Sequence, residues 1–143
     1  MVTPPRTQTL TLWVPPDLRL TANRRLHWAA RARMARTIRA QAQAAALRSL
    51  TPVHRPVLLT VTITYPCAGR HDPANWSDWA KHAVDGITDA GIWPDDDASW
   101  VRSTAFQAAP QTTRDTIADS RGRASTTRLR WHIITITIEE ATS

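Results

Sequence analysis

Residues 57–66 read VLLTVTITYP, and this stretch decides what the chain builds. It is short, β-branched and alternating, bounded by proline on both sides, so it reads as a strand. Working outward, residues 75 to about 90 carry apolar positions at helical spacing, with Trp76, Ala80, Val84 and Ile87 forming one stripe and Gly91 placed as a C-cap. SWVRSTAFQA, residues 99–108, is the next strand. Upstream, a two-proline turn at 51–56 separates the first strand from a second helix over 26–49. On that helix Ala30, Met34, Ile38 and Ala45 share one face, and Arg25, Arg33, Arg36 and Arg39 lie opposite. TLTLWV (9–14) is a further strand, ended by Pro15 and Pro16. The polar stretch 110–126 is expected to be a mobile loop, and residues 128–140 form the last strand. The order β-α-β-α-β-β predicts one small α+β domain over 1–143, a mixed sheet with two main helices. Each helix makes a crossover, and the last two strands are expected to pair across the loop.

Bulk properties narrow the partners. A chain of 143 residues is long enough for one core without disulfides or a structural metal. Its single cysteine, Cys67, fits a reducing, cytoplasmic setting. The N-terminal residues lack the pattern of a secretion signal, and no apolar run is long enough to span a membrane. Net charge is +6. Residues 1–71 hold eleven arginines against Asp17 alone, which points to a polyanionic partner, most simply nucleic acid.

Against this basic background, residues 70–97 collect seven of the twelve acidic residues together with Lys81, the only lysine. A lone ammonium among seventeen arginines suggests a place where a compact cation is needed. Asn75 reads as a helix N-cap with Asp78 as a partial capping box. Asp78, Lys81 and Asp85 fall on one helical face, where a salt-bridge ladder is the plain explanation. WPDDD follows the helix. Three adjacent carboxylates repel one another, and a hard divalent cation such as magnesium would relieve that repulsion. Asp72 and Asp95–Asp97 frame a helix ~20 Å long. They meet only if the next strand returns beside the Asp72 loop. Phosphodiester hydrolysis is the matching chemistry, with Lys81 stabilising the phosphate.

DPAN (72–75), the lysine on the next helix, VDGITDAGIWPDDD (84–97) and the upstream NRRLHW (23–28) resemble the RusA-type Holliday junction resolvases, including phage and actinobacterial variants. The likeness keeps the same order from about residue 8 to 139. It implies a RusA-like fold and a bacterial or phage-encoded, magnesium-dependent endodeoxyribonuclease, with manganese as an alternative ion. It also implies a homodimer that makes paired cuts in four-way DNA junctions during recombination and repair. By the same resemblance Asp72, Lys81 and Asp96 are catalytic, Asp72, Asp96 and Asp95 hold metal, and Asp85 assists. The family pattern D-x-D-N has a second carboxylate where this chain has Ala74. Asp78, Asp85 or Asp97 could supply the missing ligand, the site could hold magnesium more weakly and still cut, or the chain could bind junctions without cutting them.

His71, beside Asp72, could touch metal or substrate. His82 is expected at the surface and Cys67 to be a buried small residue. Trp13, Trp28, Trp93 and Trp131 fit core or dimer packing, while Trp79 and Trp100 have no clear place. Asn23, Arg24, Arg25 and His27, ahead of the first helix, suit DNA-backbone contact, as does Arg70. Arg33 and Arg36 are either a solvated face or a phosphate-tracking one. Arg114, Arg121 and Arg123 could add to the contact.

Overall fold

The structure is a computed structural model, and it describes residues 4–22, 24–117 and 128–142. Four strands form one mixed sheet: β1 (Thr7–Val14), β2 (Val57–Thr64), β3 (Val101–Ala108) and β4 (His132–Glu140), in the spatial order β1-β4-β2-β3. Two main helices, α1 (Trp28–Ser49) and α2 (Ser77–Asp89), form the crossovers, and a short helix α3 (Thr113–Ile117) follows β3. This is the expected α+β domain.

The strand pairing differs from the expectation. β4 does not pair with β3. It lies between β1 and β2, antiparallel to both, and β3 pairs only with β2, in parallel. Burial explains the order. β4 carries Ile134, Ile136 and Ile138, all fully buried, and such a strand is best covered at the centre. β3, sequence VRSTAFQA, has no fully buried residue, so it takes the edge. The stretch 110–126 is also not simply a loop, because α3 lies within it; residues 118–127 fall outside the described ones.

One sheet face is apolar. Ladder rows such as Leu10–Ile136–Val61–Phe106 run across it, and α1 and α2 pack on each other to complete the core. The other face is built of threonine rows, Thr9–Thr137–Thr60 and Thr11–Thr135–Thr62. The helices meet at Gly86, where an added Cβ would lie 2.2 Å from the Arg39 carbonyl oxygen. Gly91, at φ 80°, ends α2 as expected, and Ile92 then turns into the core. Trp79 and Trp93 are core residues, whereas Trp28 is 76% exposed and lies outside the core. Among the described residues no helix is long and apolar enough to cross a membrane.

Candidate functional site

β2 delivers the chain to one end of the sheet. Tyr65 continues it, and the loop then reaches Asp72, whose extended backbone (φ −109°, ψ 101°) starts a 3-10 turn over Pro73–Trp76. The Asp72 carboxylate accepts the Ala74 N–H at 3.1 Å. Asp72, not Asn75, is therefore the cap. Asn75 sits inside the turn, and its carbonyl accepts the Ala22 N–H at 2.9 Å, which pins the loop before α1 against the Asp72 turn. The two segments enclose a cavity of about 550 Å³ lined by Arg19, Arg24, Arg70, His71, Asp72 and Asn75, with Tyr65, Trp76 and His132 among its other walls.

Aromatic contacts organise the cavity. His71 stacks on Tyr65, with ring centroids 3.7 Å apart and planes 5° from parallel, and its Nε2 lies 2.9 Å from the Cys67 carbonyl. Cys67 itself is exposed, contrary to the buried role expected of it, because it lies on the loop beyond the sheet. His132 packs at 4.6 Å from Trp76 and edge-on to Tyr65 at 5.4 Å. Burial lowers the His132 pKa to about 4, with Arg19 and His71 adding repulsion, so the ring is neutral at pH 7. Burial also raises the Tyr65 pKa, Asp72 adds to the rise, and the nearby Trp76 indole offsets part of it. Among the described residues neither the Tyr65 hydroxyl nor His132 Nδ1 has a hydrogen-bond partner of good geometry; the Trp76 indole, though close to the hydroxyl, is not placed to make one.

Lys81 lies one turn into α2 and shares a groove of about 390 Å³ with Asp96, Ser77, Thr104 and Phe106. The groove runs between α2 and the edge strand β3. In the DDD run, the three aspartates have different surroundings. Asp95 accepts the Asp96 N–H at 2.7 Å, and Asp97 accepts the Ser99 N–H at 2.9 Å and the Ser99 hydroxyl. The Ser99 bonds hold the Asp97 pKa below the ordinary carboxylate value. Asp97 therefore caps the turn into β3, and Asp96 is the one that faces the groove.

The ladder expected along α2 does not form. Asp78 pairs instead with Arg31 of α1 at 2.9 Å, and Asp85 lies 4.0 Å from His82, half-buried rather than fully at the surface. Arg39 is likewise drawn to Asp89. For Asp78 and Asp89 the helix–helix packing supplies better-placed partners than the i, i+4 neighbours.

Lys81 and Asp96 thus come together, while Asp72 lines the other cavity. Topology sets this separation. β2 and β3 are parallel, Asp72 follows the end of β2, and Asp96 precedes the start of β3. Among the described residues no group of three His, Cys, Asp or Glu side chains is placed to hold a metal ion.

The expected DNA-contact residues also divide. Arg24 and Arg70 line the Asp72 cavity, and Arg24 donates to the Pro16 and Arg19 carbonyls. His27 caps α1 by accepting the Ala29 N–H at 3.2 Å. Arg25 is exposed, and Arg33 and Arg36 border a shallow depression on α1. Arg114 is exposed on α3, whereas Asn23, Arg121 and Arg123 fall outside the described residues. Sequence reasoning missed Arg19, Tyr65 and His132. Tyr65 read only as the tail of a strand and His132 as part of one, so nothing in the pattern tied them to Asp72. No model of a known protein family matches the chain, and no curated protein matches it.

Proposed function

We propose that the protein is a magnesium-dependent, structure-selective endonuclease that cuts branched DNA, four-way junctions above all, as a homodimer. The observation that carries this reading is the shared groove of Lys81 and Asp96, set along the same helix whose N-terminal turn leads from Asp72 and its arginine-lined cavity. Arginines at that cavity suit a phosphate backbone, and an ammonium in the groove suits charge developing on a phosphate under attack.

The donors are hard carboxylate oxygens, which magnesium takes one or two at a time while keeping waters and substrate phosphates. Asp72 and Asp96 line different cavities of one chain, and a second copy would bring one carboxylate of each kind together. The edge strand β3 offers the means. It has no proline and one charged residue, Arg102, and its outer edge is unpaired in the sheet. A second copy adding its β3 antiparallel would continue the sheet across a two-fold axis. The start of each β3 then lies beside the end of the other. The turn Pro73–Trp76 packs beside β3, so Asp72 would face the partner's Asp96. The acidic 95–97 run would likewise meet the partner's arginine-lined cavity, a charge match in both sites. A bound metal would supply activated water and charge neutralisation there. Lys81 would stabilise the phosphate, and Arg19 and Arg70 would hold the strand.

The test is a synthetic four-way junction against a linear duplex, each with and without magnesium. Paired nicks near the crossover, dependent on magnesium and absent from the duplex, are the expected result. Lys81→Ala should bind the junction as the wild type does and cut it ~10²-fold more slowly or worse. Equal cutting by that variant would remove the lysine from the chemistry. Ala74, standing where the resembled pattern has a carboxylate, favours a second reading as a junction binder that does not cut. Tight junction-preferring binding without nicks would establish it.

A further inference from the structure

The cavity beside Asp72 holds more than a phosphate needs. Its walls carry Arg19 and Arg70, neither held by a carboxylate among the described residues. Its lining also carries two polar side chains more than nine-tenths buried, Tyr65 at 8% and His132 at 7% exposure, whose hydroxyl and Nδ1 lack well-formed hydrogen bonds among the described residues. Buried polar atoms left unpaired destabilise a fold, and native structures rarely keep them without a reason. Both groups are uncharged at neutral pH, one a donor and the other a donor or acceptor by tautomer. They sit among aromatic rings, with Trp76 and His71 alongside. At about 550 Å³ the cavity has the size of a small-molecule site, larger than an isolated phosphate fills.

We propose that this cavity binds a single nucleotide turned out of the DNA stack, its phosphate held by Arg19 and Arg70 and its base hydrogen-bonded to the Tyr65 hydroxyl and the His132 imidazole. The proposal rests on the reading of DNA as the substrate. Turning a nucleotide out costs least where pairing is already disturbed, as at a branch point. The occupied cavity would therefore favour branched DNA over a regular duplex, and it would set the neighbouring phosphodiester beside Asp72.

Calorimetric titration of the full chain with the four deoxynucleoside 5′-monophosphates, the four deoxynucleosides and inorganic phosphate tests this directly. At least one monophosphate should bind tenfold or more tightly than both its deoxynucleoside and phosphate. Tyr65→Phe should weaken that monophosphate about tenfold while leaving phosphate binding unchanged. Arg70→Ala should weaken both. Because Tyr65→Phe removes only an unpaired hydroxyl, its unfolding midpoint without ligand should not fall, which separates lost contact from lost fold. Phosphate binding as tight as any monophosphate overturns the proposal and leaves an anion site only. So do nucleotide affinities indifferent to Tyr65→Phe, or no binding of any probe. The junction assay reports separately: nucleotide binding by a chain that never nicks keeps the pocket and removes the nuclease, and nicking without nucleotide binding does the reverse.

Discussion

At His132, burial and neighbouring charge act in the same direction. The imidazole opens the central strand β4 at 7% exposure, facing Tyr65 edge-on, with Trp76 beside it and Arg19 and His71 near enough to repel a proton. Its folded pKa, about 4, lies well below the ordinary value of 6.5. The unfolded chain therefore binds the proton more readily. Stability from this residue is full above pH 6.5 and declines as pH falls toward 4. Between pH 7 and 4.5 the loss is on the order of 2 kcal/mol. Urea denaturation at those two pH values should show His132→Phe losing that much less stability than the wild type, since phenylalanine keeps a ring in the slot and takes up no proton. Equal pH dependence in the two proteins would mean that the imidazole is not held neutral. Residues of this kind are hard to foresee. Asp72, Lys81 and the 95–97 run stand out because a basic chain collects its acids there, whereas a histidine at the head of an isoleucine strand looks like ordinary strand composition.

The elements themselves were legible where the pattern is strongly periodic. VLLTVTIT and HIITITIEE alternate so cleanly that only strands fit, and Trp76, Ala80, Val84 and Ile87 mark the buried side of α2. What the pattern could not reveal is which strand sits beside which, because pairing is decided by competition among strands for the covered centre, and adjacency in sequence misleads. Nor could it reveal that Gly86 is the contact between helices. It lies in a helix at normal geometry, where glycine is unfavourable, and its reason is the α1 backbone. A Cβ there would stand 2.2 Å from the Arg39 carbonyl oxygen and 2.9 Å from both the Ala42 Cβ and the Gln43 nitrogen. Backbone cannot rotate out of the way as a side chain can. Gly86→Ala should therefore destabilise the protein by about 3 kcal/mol, at or beyond the upper end of the usual overpacking cost, despite the better helix propensity of alanine. Chemical denaturation measures it. A neutral or stabilising outcome would show that the helices part freely, and the α1–α2 contact would then not be what fixes Lys81 over β3.

At the scale of the whole molecule, the question is how two carboxylates set at opposite ends of a parallel strand pair could serve one phosphate. Within one chain Asp72 and Asp96 line different cavities, Asp72 beyond the end of β2 and Asp96 before the start of β3. In the proposed dimer, joined through the β3 edges, antiparallel addition would reverse the partner and set its Asp96 beside this chain's Asp72. Mixed dimers distinguish the arrangements. Homodimers of Asp72→Asn and of Asp96→Asn should each lose most cutting. A dimer of one Asp72→Asn chain with one Asp96→Asn chain keeps one site with both carboxylates if the site is shared between chains, and none if it is built within one. Recovered nicking of a single strand, at about half the wild-type rate for the pair, is the expected result. A second measurement needs no activity. Cys67 is the only cysteine, exposed on the loop that leads to Asp72. Asp96→Cys introduces a thiol at the other end of its own chain, beside the partner's Cys67 in the shared arrangement. A short bismaleimide should then join Asp96→Cys chains into covalent dimers and leave the wild type, whose two Cys67 thiols would sit at far ends of the joined sheet, as single chains. If Asp96→Cys also stays uncoupled while sedimentation shows a dimer, the copies associate through another surface, and the shared site is overturned.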